Sequence, residues 1–173
     1  MHVPIDDFMR AMARVPGPVT VVTTIDPAGR SWGFTASSFS SLSLRPPLVL
    51  VCLDKTASTH AAFVTASSFL VNVLAEGQSD VALRFARSGL DRFAAGDTQP
   101  CELGLPGVPY ACARLACLLY QVIDVGDHSI IVGQVHSVHT GDDVALAYCD
   151  RSFARVVHAE LELAGKQHDN HRR

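Results

Sequence analysis

The chain has 173 residues, of which 48% are hydrophobic, and its formal net charge is -3. That length fits one domain with its own core, and the hydrophobic content excludes an intrinsically disordered protein. The weak negative charge disfavours nucleic-acid binding, which usually depends on a clustered basic face. No apolar stretch reaches the roughly 18 residues that span a bilayer, and the N-terminus does not resemble a signal peptide.

The first half of the chain predicts one helix followed by four strands. Apolar residues at helical spacing predict a helix over residues 5–15, which Pro16-Gly17-Pro18 ends. Turn residues at 26–30 join two predicted strands into a hairpin, and Pro46-Pro47 precedes a wholly apolar strand. The four strands are predicted over residues 19–25, 31–35, 39–44 and 48–53, the third with one face in water.

The second half predicts two short helices and further strands. Ser58 or Thr59 can cap a helix that runs through Phe63, and Ser79 can cap another over residues 79–87. The segment 89–109 contains Gly and Pro without periodicity and is expected to be a surface loop. Strands are predicted over 69–74, 111–125, 129–139 and 144–148, the two long ones joined at residues 126–128.

These elements predict a mainly β fold with short helices, in which closely spaced strands form an antiparallel barrel. An α+β sandwich is the alternative layout that the pattern leaves open. We expect one domain over residues 1–160 and a polar, disordered tail over residues 161–173.

The cysteine pattern indicates free thiols. Five cysteines with no C-x-x-C pair predict neither a disulfide framework nor a zinc site, and a cytoplasmic location is expected. Cys52 and Cys117 lie in apolar runs and are expected to pack as small core residues. His136 and His139 would point to opposite faces of a strand, so no metal site is predicted there.

The sequence lacks the common nucleotide and hydrolase motifs. There is no G-x-G-x-x-G after a strand, no P-loop, no G-x-S-x-G and no H-E-x-x-H. A nucleotide would therefore be held by side-chain hydroxyls, one or two cations and loop N–H groups. No catalytic side chain is assigned.

The residues Thr35, Ala36, Ser37 and Ser38 form the most informative stretch. Their small side chains let a flat ligand lie close to the backbone, and their hydroxyls can bond a ring rich in acceptors. An ordinary Ser-rich turn between two strands is the alternative interpretation.

The segment Gly33-Phe-Thr-Ala-Ser-Ser-Phe-x-Ser-Leu-Ser-Leu-x-Pro-Pro-Leu-Val-Leu-Val-Cys-Leu resembles the short-chain flavin reductase family. These proteins are reductase components of two-component flavin-dependent monooxygenases. The likeness continues in Phe69-Leu-Val-Asn-Val-Leu, in Arg84-Phe-Ala with Asp91-Arg-Phe, and in Gly126-Asp-His-Ser-Ile-Ile-Val-Gly-Gln-Val135. It covers roughly residues 9–157. Many relatives have Asn at the position of Ser37 and differ over residues 147–151, which leaves Tyr148 and Arg151 the least secure matches.

The resemblance implies a dimeric, FMN-binding split β-barrel with flavin near the subunit interface. It implies that NADH or NADPH reduces free FMN or FAD, which then diffuses to a partner monooxygenase, one acting on an aromatic polyketide or a phenol. NADH is favoured because no Arg cluster is placed for a 2′-phosphate. Two alternatives stay open: a flavoprotein that retains its flavin and oxidises another small molecule, and a non-catalytic flavin-binding module.

The resemblance also implies which residues contact the coenzymes. Ser58 would reach the phosphate region, His128 would contact the nicotinamide nucleotide, and Tyr148 would shape that side. Lys55 and Arg87 are the expected charge partners of a phosphate, with a solvated surface cation as the alternative for each. The residues expected to bind flavin are Thr35, Ala36, Ser37, Ser38, Cys52, Leu53, Asp54, Lys55, Ser58, Phe85 and Arg87.

Overall fold

The computed structural model describes residues 2–157, and its strands pair in antiparallel fashion. The predicted tail over residues 161–173 lies outside that range. Within the range, no helix is long and apolar enough to cross a membrane. The helices are α1 (Ile5–Ala13), α2 (His60–Val64) and α3 (Ser79–Ala86). The strands are β1 (Gly17–Pro18), β2 (Thr20–Ile25), β3 (Ser31–Ala36), β4 (Ser40–Leu44), β5 (Pro47–Asp54), β6 (Ser68–Val73), β7 (Gln99–Pro100), β8 (Pro106–Gly107), β9 (Ala113–Val125), β10 (His128–Thr140), β11 (Leu146–Cys149) and β12 (Ser152–Arg155).

A seven-stranded sheet forms the body of the protein, with the strand order β3-β2-β6-β9-β10-β5-β4. The predicted hairpin between β2 and β3 is present. Its turn is closed by Asp26, whose side chain accepts hydrogen bonds from the backbone of Ala28 and Arg30. The β9–β10 hairpin turns at Gly126, whose φ of +58° lies in the left-handed region that glycine adopts without a steric penalty. Both predicted hairpins, β2–β3 and β9–β10, are therefore present.

The sheet carries apolar side chains on both faces. Val22 contributes to one cluster with Phe63, Phe69 and Ile131, whereas its neighbour Val21 contributes to a second cluster. Neighbouring residues of a strand point to opposite faces, which explains this division. In the second cluster, Val81, Ala82 and Phe85 of α3 pack against β2, which fixes α3 on that face beside β3.

The segment 89–109 is not the surface loop that its composition predicts. Leu105 and Val108 are buried, and the short strands β7 and β8 pair with each other. Asn72, fully buried in β6, accepts a hydrogen bond from the Val108 N–H and donates one to the Val21 carbonyl. These bonds satisfy a buried amide and attach the end of the segment to the sheet.

Several local predictions were wrong. Ser79 is the first residue of α3 rather than its cap, and Gln78 precedes it without capping through its side chain. Thr59 precedes α2, but its hydroxyl makes no capping bond. Strand β4 is exposed on both faces in the single chain, and Cys52 is only partly buried, whereas Cys117 is buried as expected. Strands β1 and β12 were not predicted; they flank β11 in a separate three-stranded sheet.

Candidate functional site

Two neighbouring clefts lie beside β3. The first, with a volume of about 350 Å³, is lined by the ends of β3, β5 and α3, and the second, about 630 Å³, is lined by the first half of β3 and by residues 89–93. Arg92 lines both clefts. The predicted residues that line the first cleft are Thr35, Ala36, Ser37, Ser38, Cys52, Leu53, Asp54, Phe85 and His128.

The tetrapeptide at the end of β3 forms one wall of the first cleft. The Thr35 hydroxyl donates to the Ala82 carbonyl of α3 at 2.6 Å, so its proton is already used in a hydrogen bond within the protein. The Ser38 hydroxyl accepts from the Cys52 N–H at 3.0 Å and lies 3.3 Å from the Cys52 carbonyl oxygen. These contacts fix the wall, and Ser37 between them stays exposed.

Residues of β5 and β10 also line the first cleft. His128 is the register partner of Asp54, and its Nδ1 lies 2.7 Å from the Asp127 carboxylate. That contact lowers the pKa of Asp127. Hydrogen bonds from the Thr56 hydroxyl and N–H lower the pKa of Asp54 in the same way. His128 therefore lies between two carboxylates that stay ionised at neutral pH.

Arg92 is a partly buried cation at the boundary between the clefts. Its Nη1 donates to the Gly33 carbonyl and its Nε to the Arg87 carbonyl, both at 2.9 Å. Burial lowers the pKa of Arg92, yet a guanidinium stays charged at neutral pH. Within residues 2–157 it forms no ion pair with a carboxylate. An anionic ligand group at this boundary would offset the cost of burying the charge.

Neighbouring side chains hold the segment that carries Arg92. Arg84 of α3 forms an ion pair with Asp97 and donates from Nε to the Arg92 carbonyl at 3.0 Å. The Phe93 ring meets the buried Phe85 ring edge-on, with centroids 5.1 Å apart. These contacts fix the backbone at Arg92 and the residues that follow it.

Thr59 supplies an unsatisfied polar group beside the first cleft. The residue is 1% exposed, and its hydroxyl oxygen has no hydrogen-bond partner among the described residues. A buried hydroxyl without a partner is costly in a folded protein, so a polar ligand in the cleft is the expected partner.

Four of the residues expected to bind the coenzymes lie outside the first cleft. Ser58 lines the second cleft. Lys55 donates to the Gly126 carbonyl at 3.1 Å and lies 3.7 Å from the Asp124 carboxylate. The backbone carbonyl of Arg87 accepts a hydrogen bond from Arg92. Tyr148 lies in β11, where its ring packs against Phe153. Their roles stay predictions.

The sequence reasoning missed Arg92 and chose Arg87 instead. The segment around it has no periodicity, so no pattern indicates that its side chain is buried. The available signal was the triplet Asp91-Arg92-Phe93, which is part of the family likeness. Thr59 was considered only as a helix cap.

The comparisons with known proteins agree on one family. A family model described as "Flavin reductase like domain" matches residues 12–156. The chain is 43% identical to actinorhodin polyketide dimerase of Streptomyces coelicolor, covering 86% of this chain and 85% of that protein. It is 45% identical to an NADH:riboflavin 5′-phosphate oxidoreductase of Streptomyces pristinaespiralis, covering 78% and 77% of the two chains. Other curated relatives are longer, and the chain spans 42% to 60% of three of them.

A solved structure supports the same assignment. The NADH:FAD oxidoreductase of Streptomyces globisporus, solved with NAD and FAD fragments, superposes with a TM-score of 0.84 at 32% identity. The match covers 92% of this chain and 98% of that one. The fold is thus the flavin reductase-like split barrel. The chain belongs to the flavin reductase-like domain family, and it is a flavin reductase.

Proposed function

We propose that this chain is an NADH:flavin oxidoreductase that binds FMN or FAD in the first cleft and releases the reduced flavin to a partner monooxygenase. One observation carries the proposal: nine residues expected to contact the coenzymes, eight of them the flavin, line a single cleft together with a partly buried guanidinium that forms no ion pair within residues 2–157. The names of the relatives, which specify NADH, FMN and FAD, support the same reaction.

The residues present fit a phosphorylated flavin. The small side chains of Ala36 and Ser37 let a tricyclic ring lie against the backbone, and the Thr59 hydroxyl offers a buried hydrogen-bond partner. Arg92, which lines both clefts, and Ser58, which lines the second, are the residues that we assign to the phosphate. A guanidinium recognises phosphate oxygens through paired N–H donors, which suits Arg92 to this role.

The chemistry supplied by the bound coenzymes is hydride transfer from a reduced nicotinamide to the flavin. This chain's residues then have to bind and orient the two coenzymes and keep water away from them. No nucleophile or buried acid–base pair is needed. We assign His128 to the nicotinamide nucleotide, because it lines the same cleft as Ser37 and can donate to a phosphate or a carboxamide.

We further propose that two copies form a dimer. Helix α1 contains no buried residue, although Phe8 is 57% exposed and Met9 and Met12 are each 50% exposed. A helix with such an apolar face needs a covering surface, and a second copy is the occupant that the family resemblance implies. Phe8→Asp is expected to halve the mass measured by light scattering, whereas Arg10→Ala on the same helix leaves it unchanged. A wild-type mass equal to one chain contradicts the dimer.

The test of the function is anaerobic stopped-flow measurement of NADH oxidation with FMN, FAD and riboflavin side by side, repeated with NADPH. We expect saturable, flavin-dependent oxidation, with NADH preferred. Transfer is tested by placing a flavin-dependent monooxygenase across a dialysis membrane that passes flavin but not protein. Hydroxylated product in the second chamber supports release by diffusion.

The alternatives predict different results. A flavin absorbance spectrum that survives extensive dialysis favours a flavoprotein that retains its cofactor. Absence of NADH oxidation with every flavin favours a non-catalytic binding module. A role in aromatic polyketide biosynthesis is the finer proposal; it is supported by one relative's name and requires an oxygenase that accepts a polyketide phenol. The cytoplasmic location stays a prediction.

A further inference from the structure

We infer that the second cleft binds the adenylate half of a dinucleotide coenzyme, with the adenine stacked on the pair formed by Arg30 and Trp32. The inference rests on the proposed function, which assigns the first cleft to the flavin ring. The second cleft is the larger of the two and shares Arg92 with the first as a lining residue, so a ligand longer than one mononucleotide could reach both clefts past this side chain.

Trp32 is held rigidly in the wall of the second cleft. Its indole N–H donates to the Asp26 carboxylate at 2.8 Å, and the same carboxylate accepts two backbone N–H groups of the turn. These bonds lower the pKa of Asp26, so the carboxylate stays charged and the indole orientation stays fixed at neutral pH. A fixed aromatic ring loses little conformational entropy when a ligand stacks on it.

Arg30 completes the stacking surface. Its guanidinium carbon lies 4.3 Å from the centroid of the Trp32 ring, the geometry of a cation–π contact. The residue is exposed and makes no ion pair within the described part of the chain. Guanidinium planes and indole rings both stack on nucleic-acid bases. The pair thus presents a flat, cationic surface that suits a purine next to a phosphate.

The spacing along β3 matches the inference. Trp32 and Ala36 lie on the same face of β3, four residues apart, which corresponds to about 13 Å along an extended strand. A pyrophosphate-linked dinucleotide can span this distance with its two ring systems at the ends. Arg92 lines both clefts, so the pyrophosphate would pass this guanidinium, and Ser58 lines the second cleft.

The adenylate group can come from either of two coenzymes, FAD or NADH, and the experiment separates them. Trp32 is the only tryptophan in the sequence, so the intrinsic tryptophan fluorescence of the protein reports directly on this surface. The probes are 5′-AMP and ADP, which contain the adenylate without a flavin or a nicotinamide. Their binding needs no turnover, so this result is independent of whether the enzyme reduces flavin.

We expect AMP and ADP to quench Trp32 saturably and to compete with the coenzyme that supplies the adenylate. Arg30→Met is expected to weaken AMP binding about 5- to 100-fold, the range that loss of one stacking partner produces. Leu90 is an exposed residue of the same cleft. Leu90→Glu places a negative charge near the phosphate and is expected to weaken AMP binding as well. The matched control is Arg155→Met on β12, which lines neither cleft and is expected to change nothing.

Two comparisons identify the source. If the flavin supplies the adenylate, FAD binds more tightly than FMN, and Arg30→Met removes the difference. If the nicotinamide coenzyme supplies it, Arg30→Met raises the KM for NADH but not for reduced nicotinamide mononucleotide. The inference is overturned if AMP leaves Trp32 fluorescence unchanged, or if quenching occurs but Arg30→Met and Leu90→Glu both leave it unaltered.

Discussion

Replacement of Arg92 by Met tests whether this residue binds the flavin phosphate. The substitution keeps a long, unbranched side chain but removes the charge and the N–H donors at the boundary of the two clefts. It also removes the hydrogen bonds to the carbonyls of Gly33 and Arg87. The measurement must therefore separate lost phosphate binding from a disturbed cleft.

The magnitude follows from the position of the charge. A guanidinium about 4 Å from a phosphate monoanion gains about 4 kcal/mol at an effective dielectric constant of about 20. Before binding, water hydrates both the phosphate and the partly exposed guanidinium, and the loss of this hydration offsets part of the gain. A charge-assisted hydrogen bond contributes about 1.5–3 kcal/mol net, so Arg92→Met is expected to raise the Kd for FMN about 10- to 100-fold.

The assay is titration of flavin fluorescence with wild type and variant, using FMN and riboflavin in parallel. Riboflavin has the same ring and ribityl chain but no phosphate, so it reports any general disturbance of the cleft. We expect the variant to lose affinity for FMN while its affinity for riboflavin changes by less than about threefold. Arg92→Lys, which keeps the charge, is expected to recover part of the loss. Equal losses for FMN and riboflavin would refute the reasoning.

Three further predictions concern single positions. Gly33→Ala is expected to destabilise the fold by about 1–3 kcal/mol in urea unfolding, because the added Cβ would lie 2.7 Å from a carbon of the buried Phe85 ring. Glu102→Gln is expected to cost about 1–3 kcal/mol at pH 7, because the carboxylate accepts two hydrogen bonds from Arg114, at 3.0 and 3.1 Å. These bonds lower the pKa of Glu102 below its ordinary value of 4.5, so their stabilisation is present above that pH and is lost as the pH falls through the folded pKa. His128→Ala is expected to raise the KM for NADH about 3- to 10-fold and to change the KM for flavin less, as steady-state kinetics would measure.

Each of these predictions has an outcome that contradicts it. The double variant Gly33→Ala, Phe85→Leu should recover stability by relieving the contact, and simple additivity of the two losses would argue against it. The stability gap between wild type and Glu102→Gln should narrow below pH 4.5, and a constant gap would exclude the ion pair as its cause. Equal effects of His128→Ala on both KM values would count against a nicotinamide-side role.

The main strands and one wall of the site could be predicted from local sequence. The β-branched run of β2 and the apolar run of β5 have no competing helical pattern, and both strands are present. The tetrapeptide at positions 35–38 was predicted as a wall of a binding site, and it lines the first cleft. Local patterns suffice there because each wall residue belongs to, or directly follows, a regular strand.

Longer-range features escaped prediction because they depend on partners distant in sequence. Val108 is buried in the second hydrophobic cluster, and its N–H donates to Asn72, which lies 36 positions earlier. Gln78 precedes α3, and its side-chain amide accepts from the Ala75 N–H and donates to the Pro109 carbonyl, 31 positions later. The local sequence around Val108 and around Gln78 does not indicate the contacts with Asn72 and Pro109, because these partners are distant in the chain.

The sequence by itself determined the succession of strands, the hydroxyl-rich wall and the family motifs, because these depend on residue type and on spacing between neighbours. Only the tertiary structure decided which cation stands at the boundary of the clefts. Arg87 directly follows α3, Arg92 lies in the irregular segment beyond it, and both have the same side chain. Arg87 is exposed, whereas Arg92 is partly buried and donates to the Gly33 carbonyl of β3. A contact across 59 positions of chain depends on the path of the backbone, and no local pattern encodes that path.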